Sequence, residues 1–214
     1  AERPSDPVRA SGVRTGTRGT DYSLSQGLRG GVFARSAVLV PLEALHPRWA
    51  QNHGDAGTRD LVRRLISIRE AGEANDVVVI LGACDEANVD RMLSVYGHVL
   101  GSAPSTAWHG FGLSVSAQSL RAIAILRWVR RLALARGHRI PVRLVASGAD
   151  WADQWRFGGE AGLRGPAVFE SRDQVAVSMI ACARMLLSEP TAFHSVFAAA
   201  DPDVLGAIQQ IAPG

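Results

Sequence analysis

The chain contains no lysine: all 23 of its basic residues are arginine, against 20 acidic residues, for a net charge of +3. That absence excludes Schiff-base and other lysine-dependent catalysis. Arginine stays protonated at any ordinary pH, so it serves as a carboxylate or phosphate clamp and not as a proton shuttle. An arginine-favouring codon usage is the plain origin of the bias. Cysteine is nearly as scarce. Cys84 and Cys182 stand far apart, which gives neither a disulfide framework nor a zinc spacing. Both read as small buried residues of a reducing, cytoplasmic compartment, with a reactive thiol at Cys84 as the alternative. No apolar run approaches the roughly 18 residues of a membrane span. No charged-then-apolar leader follows Ala1, so no targeting signal is expected. Phosphate-loop, His-Glu-x-x-His and nucleophile-elbow motifs are all missing. His46, His53, His98, His109, His138 and His194 show no metal-ligand spacing, and no metal is assigned.

What is present fits a soluble globular protein of 214 residues with 47% hydrophobic content, long enough for one large core. Residues 1–30 are rich in Arg, Gly, Ser and Thr with only single apolar residues. Such a segment buries too little surface to offset its ordering entropy and reads as a flexible or loosely packed tail. Its five arginines, from Arg3 to Arg29, read as solvated, with contact to an acidic partner as the alternative. Residues 31–214 form the second unit.

In that unit short apolar runs occur at 37–40, 77–81, 111–115, 141–146 and 193–199. They do not alternate cleanly, as expected of strands buried on both faces of a parallel sheet. Helical stretches follow them. Leu61, Val62, Leu65, Ile66 and Ile68 form an apolar face beside Arg63, Arg64 and Arg69; Ile123, Leu126, Val129 and Leu132 repeat the design, as do Val175, Met179, Ala183 and Leu186. Gly101 and Gly137 sit where helices should stop. Five strand–helix units predict an α/β fold, doubly wound or a (β/α) barrel, short of the eight units of a closed barrel. The basic stretch 121–139, with Trp128, places its arginines opposite the apolar stripe and reads as a solvated outer helix, not a nucleic-acid surface.

Several segments at the strand ends, where a barrel keeps its active site, carry a family resemblance. They are Pro41-Leu42-Glu43-Ala44-Leu45-His46-Pro47-Arg48-Trp49, Phe111-Gly112-Leu113-Ser114-Val115-Ser116-Ala117, and Pro141-Val142-Arg143-Leu144-Val145 with Gly148-Ala149-Asp150-Trp151. Pro166-Ala167-Val168-Phe169, Ile180-Ala181-Cys182-Ala183-Arg184-Met185-Leu186-Leu187 and Phe197-Ala198 follow in order. Over residues 36–212 the chain resembles the flavin-dependent proline dehydrogenase barrel of the bacterial proline utilisation proteins. The resemblance implies a partial or distorted (β/α) barrel whose runs are the family's third to seventh strands.

The departures from that pattern fall on its chemistry. The family's third-strand lysine is Pro41 here, its fourth-strand aspartate falls on Gly82 with Asp85 displaced along the loop, and its flavin-contacting glutamine is Ser116. The tyrosine two places on is Gln118, the sixth-strand lysine is Ala146, a residue is gained around Ser147, and the Thr-His-Asn run reads Ala199-Ala200-Asp201. The family's carboxylate-clamping arginine pair belongs to a helix after its eighth strand, beyond Gly214. Amine oxidation by a flavin needs an anchored substrate and donors beside the ring. The sequence therefore predicts a non-catalytic proline dehydrogenase-like domain with a structural, partner-binding or regulatory role. Two alternatives are a working flavin-dependent oxidoreductase on proline or a related amino acid, and an Arg-rich module for nucleic acid or an acidic protein. No catalytic residue is assigned, and no cofactor is expected. If FAD is bound, Arg143, Asp150 and Trp151 are its contacts; otherwise Arg143 pairs with Asp150 or Asp153. Five strands leave two open edges, for which another protein chain or a second copy is the expected cover.

Overall fold

A computed structural model describes residues 36–46, 55–102, 108–146 and 168–212. The N-terminal segment and its boundary at residue 30 lie outside them. The chain runs β1 (Ala37–Val40), α1 (Leu42–Leu45), α2 (Asp55–Ala74), β2 (Val78–Leu81), a 3-10 turn (Glu86–Asn88), α3 (Val89–Ser102) and β3 (Phe111–Ser116). It continues with α4 (Ala122–Arg136), β4 (Ile140–Val145), α5 (Arg172–Ser188), β5 (Phe193–Ala198) and α6 (Pro202–Ile211). Each expected run is a strand, with ends shifted by a residue at most.

All neighbouring strands pair in parallel, in the order β1-β2-β3-β4-β5. A doubly wound sheet reverses its order at a switch point; this one never does. The sequential order is that of a (β/α)-barrel segment. Side chains alternate across each strand, and one face carries Val40, Leu81, Leu113, Leu144 and Phe197. These pack in a single core with Leu61 and Leu65 of α2, Val95 and Val99 of α3, Leu126 and Val129 of α4, and Met179 and Leu186 of α5. Tyr96, fully buried, stacks on Phe111 at 5.0 Å and donates its hydroxyl to the Phe111 carbonyl at 3.2 Å.

The opposite face is built in layers of register partners. Leu39, Ile80, Gly112, Pro141 and His194 form one, and Ser114, Arg143 and Val196 form the next toward the strand ends. Gly112 is required there by close approach: a Cβ at this position would lie 2.1 Å from the Pro141 carbonyl oxygen and 2.6 Å from the Pro141 Cβ.

Three local features differ from the sequence expectation. Strand β1 is not buried on both faces: Val38 and Leu39 are 42% and 46% exposed, because β1 is an edge of the described sheet. Arg69, grouped by its charge with the outer face of α2, is 4% exposed, since its guanidinium meets Glu73 at 3.1 Å one turn on. Helix α3 continues through Gly101 to Ser102, whose hydroxyl donates to the Val99 carbonyl at 2.9 Å. Gly137 does end its helix, in the left-handed region at φ 67°, where glycine carries no Cβ penalty.

Candidate functional site

The C-terminal ends of the strands open into a cavity of about 580 Å³, within the ~300–1,000 Å³ range of small-ligand sites. The end of β1 supplies Leu39, Pro41 and Glu43, and the loop after β2 supplies Gly82, Ala83, Cys84 and Asp85. Strand β4 supplies Arg143, Val145 and Ala146, and the end of β5 gives Ala198, Ala199 and Ala200. A larger groove, about 820 Å³, lies outside between α3 and α4, lined by Leu93, Gly97, Ile125 and Trp128 among others. It is lined by helix and helix-cap residues and by no strand residue, so position and chemistry favour the smaller cavity.

Its polar side chains are Glu43, Cys84, Asp85 and Arg143. Asp85 caps the 3-10 turn: one oxygen accepts from the Asn88 backbone N–H at 2.9 Å and from Asn88 Nδ2 at 2.8 Å, and the other accepts from Nδ2 at 3.1 Å. Glu43, in the first turn of α1, faces solvent. Burial pushes the Cys84 thiol far above its ordinary range, and Asp85, Glu43 and Glu86 push it the same way. A thiol so held is a poor nucleophile. Arg143 differs. It is half-buried, and no hydrogen-bond or ion-pair partner meets its guanidinium among the described residues.

Behind the main cavity, a recess of about 20 Å³ shares Ala83 and Cys84 with it and is lined by Ser114, Ser116, Ser119 and Glu86. Ser114 is 1% exposed and its hydroxyl has no partner. Burial raises the pKa of Glu86, opposed by a hydrogen bond from Ser119 and the charge of Arg121. Arg121 also forms a two-pronged pair with Asp90, with one prong at 3.1 Å, which lowers the Asp90 pKa. The Ser116 hydroxyl accepts from the Gln118 backbone N–H at 3.3 Å. The Gln118 amide is 1% exposed, with neither oxygen nor nitrogen paired.

Two pieces of geometry bear on flavin. A Cβ on Gly82 would sit 3.2 Å from the Pro41 Cα and 3.4 Å from the Val40 carbonyl oxygen. A larger residue at 82 would press on the backbone of Val40 and Pro41, which would have to give by a few tenths of an ångström. Helix α6 begins with Asp201 as its N-cap, the carboxylate accepting from Asp203 N–H at 2.9 Å. A helix N-terminus after a late barrel strand is where phosphate is commonly held; here a fixed negative charge stands in that place. Helix α5 is closed by a Ser171–Gln174 capping box. Among the described residues, Arg143 is the one cationic side chain that lines the cavity.

Of the sequence-predicted contacts, Arg143 lines the cavity, while Asp150, Trp151 and the alternative partner Asp153 lie outside the described residues. Pro41, Gly82, Ala146 and Ala200 are brought together around it; Ser116 lines the recess instead. Sequence reasoning missed Ser114. Its signal was alternation: Ser114 is the register partner of Arg143 and so shares its face. Among the described residues no group of three or more His, Cys, Asp or Glu could hold a metal ion, and no helix is long and apolar enough to cross a membrane.

Comparison with known proteins identifies relatives. A family model described as proline dehydrogenase matches residues 10–212. The bifunctional protein PutA of Escherichia coli (strain K12) is 26% identical over 182 residues, which cover 85% of this chain and 14% of that protein. PutA of Klebsiella aerogenes matches to the same extent. A crystal structure of a Bradyrhizobium japonicum PutA variant superposes with a TM-score of 0.75 at 28% identity, over 83% of this chain and 18% of that one. The chain thus spans less than a fifth of the length of these relatives.

Proposed function

We propose, from the premise that this chain belongs to the proline dehydrogenase family, that it is a non-catalytic member of it, kept for a structural, partner-binding or regulatory role. The observation that carries this reading is the wall of the strand-end cavity. Where the family places polar groups, this chain has Pro41 packed against Gly82, then Ala146, Ala199 and Ala200.

A flavin supplies hydride acceptance to such a reaction, and the protein's part is to aim the substrate and stabilise the reduced ring. Among the described residues this cavity offers one unengaged cation for both tasks, Arg143. Asp201 opposes a diphosphate by its charge, and Asp85 is spent on its own turn. Retention of the core with loss of polar wall residues supports a domain preserved for its shape. The purified protein is expected to be colourless. Flavin released by denaturation should amount to less than about a tenth of the protein on a molar basis. A stoichiometric flavin spectrum would overturn the reading. Arg143 is the observation favouring a working flavoenzyme, since it is the polar residue of the family pattern that remains in the wall. If that second reading holds, Arg143→Ala loses the flavin.

The role of partner rests on the sheet edges. Strands β1 and β5 end the described sheet, and Val38 and Leu39 expose apolar surface on β1. An uncovered parallel edge leaves donors and acceptors that proteins normally pair or shield. Another chain, or a second copy, is the proposed cover.

A further inference from the structure

The small recess behind the strand-end cavity gathers buried polar atoms that the rest of the fold leaves unmet. We propose that it is a binding site for a single water molecule, held by Glu86, Ser114 and Ser116, which ties the turn after β2 to the end of β3. The site belongs to the packing of the strand ends and holds whether or not the domain is catalytic.

Two side chains carry the inference. Ser114 is 1% exposed and the side chain of Glu86 7% exposed. Ser114 Oγ and Glu86 Oε1 both lack a hydrogen-bond partner, and both residues line the recess. Arg121 does not meet that need. Its Nη1 stands 3.9 Å from Glu86 Oε1, too far for a hydrogen bond, and its guanidinium is committed to Asp90. Buried polar atoms are seldom left so, and internal water is their usual partner where protein supplies none.

Size and chemistry select the occupant. The recess measures about 20 Å³, and one internal water needs roughly 10–15 Å³ of such space; an organic ligand is too large. The water donates to Glu86 Oε1 and accepts from the Ser114 hydroxyl. It accepts as well from the Ser116 hydroxyl, whose oxygen already takes the Gln118 backbone N–H and whose proton is left to give. About three bonds are usual for a buried water. Ser119 is spent: its oxygen accepts from the Arg121 backbone N–H at 3.1 Å, and its hydroxyl bonds Glu86. The Cys84 thiol donates to the Met92 sulfur at 3.7 Å. Val89, Met92 and Ile125 close the apolar side, so exchange with bulk solvent is slow. One carboxylate among the lining residues is a poor cage for a metal cation, which takes about six oxygens.

Two measurements on the full chain test the site. A crystal structure at a resolution that shows ordered solvent should place one density peak within hydrogen-bond distance of Glu86 Oε1, Ser114 Oγ and Ser116 Oγ. In solution, oxygen-17 relaxation dispersion counts internal waters that outlive molecular tumbling. Ser114→Val, which puts methyl groups where the hydroxyl and the water would be, should lower that count by one, with a thermal melt to verify that the variant folds. A recess without density overturns the proposal, as does an unchanged count in the folded variant. An anomalous peak in the recess after a rubidium soak overturns the assignment to water in favour of a monovalent cation.

Discussion

Gly112 carries the heaviest single-residue constraint on the sheet. A methyl group there would fall 2.1 Å from a backbone oxygen of the adjacent strand, and backbone cannot swing aside as a flexible side chain can. Gly112→Ala should therefore destabilise the domain by about 3 kcal/mol, the upper part of the range for overpacking a core. Chemical denaturation of the variant checks this; a midpoint equal to the parent's would contradict the packing described for the layer with Pro141. In the sequence this glycine was visible only as part of the segment 111–117. Its reason was hidden, because the register that sets it against Pro141 is a property of two strands. Arg69 was misassigned for a related cause. Charge predicts an outer position on average, whereas Glu73 one turn later supplies a partner that lets the guanidinium be buried.

At the scale of elements, hydrophobic periodicity located each strand and the three helices whose faces it was used to define, and Gly137 marked the end of α4. Periodicity is a local signal and survives divergence, because any apolar residue of similar size maintains it. The caps were less legible. Asp85 and Asp201 read as remnants of a lost site, and the structure shows each serving its own N-terminus. The turn that joins β2 to α3 supplies a pH prediction. Glu86 has a raised pKa through burial, so the folded state favours its protonated form. Its ionisation costs stability once the pH rises through that raised value, and the cost vanishes in acid. Asp90, lowered by Arg121, works in the opposite sense: its contribution is present above the ordinary aspartate pKa and is lost on acidification. Glu86→Gln should consequently raise the melting temperature at pH 7 by a few degrees, ~1 kcal/mol for a domain of this size, with the gain shrinking toward pH 4. A gain independent of pH, or a loss at pH 7, would show that the Ser119 and Arg121 contacts outweigh desolvation.

For the whole molecule, five parallel strands with helices packed on them followed from spacing and composition, whereas their sequential order, left open between a doubly wound sheet and a barrel, was implied by the family resemblance. The candidate site was legible in part. Substitutions at Pro41, Gly82 and Ala146 could be counted from the sequence, but the lack of a partner for Arg143 among the described residues and the orphaned hydroxyl of Ser114 required strand register and burial. The exposed edge of β1 belongs to this scale as well. Light scattering should find the isolated chain as a dimer or larger, through pairing at that edge, and introducing a charge by Val38→Lys should shift it toward monomer. A stable parent monomer with cooperative melting would show the edges to be satisfied within the chain. The account's central claim is that the family fold persists here without its chemistry, and proline-dependent dye reduction by the purified protein with added FAD tests it most directly. The predicted result is a rate equal to that of the blank without protein. Proline-dependent reduction at an ordinary enzyme rate, about 1 per second or faster, would contradict it.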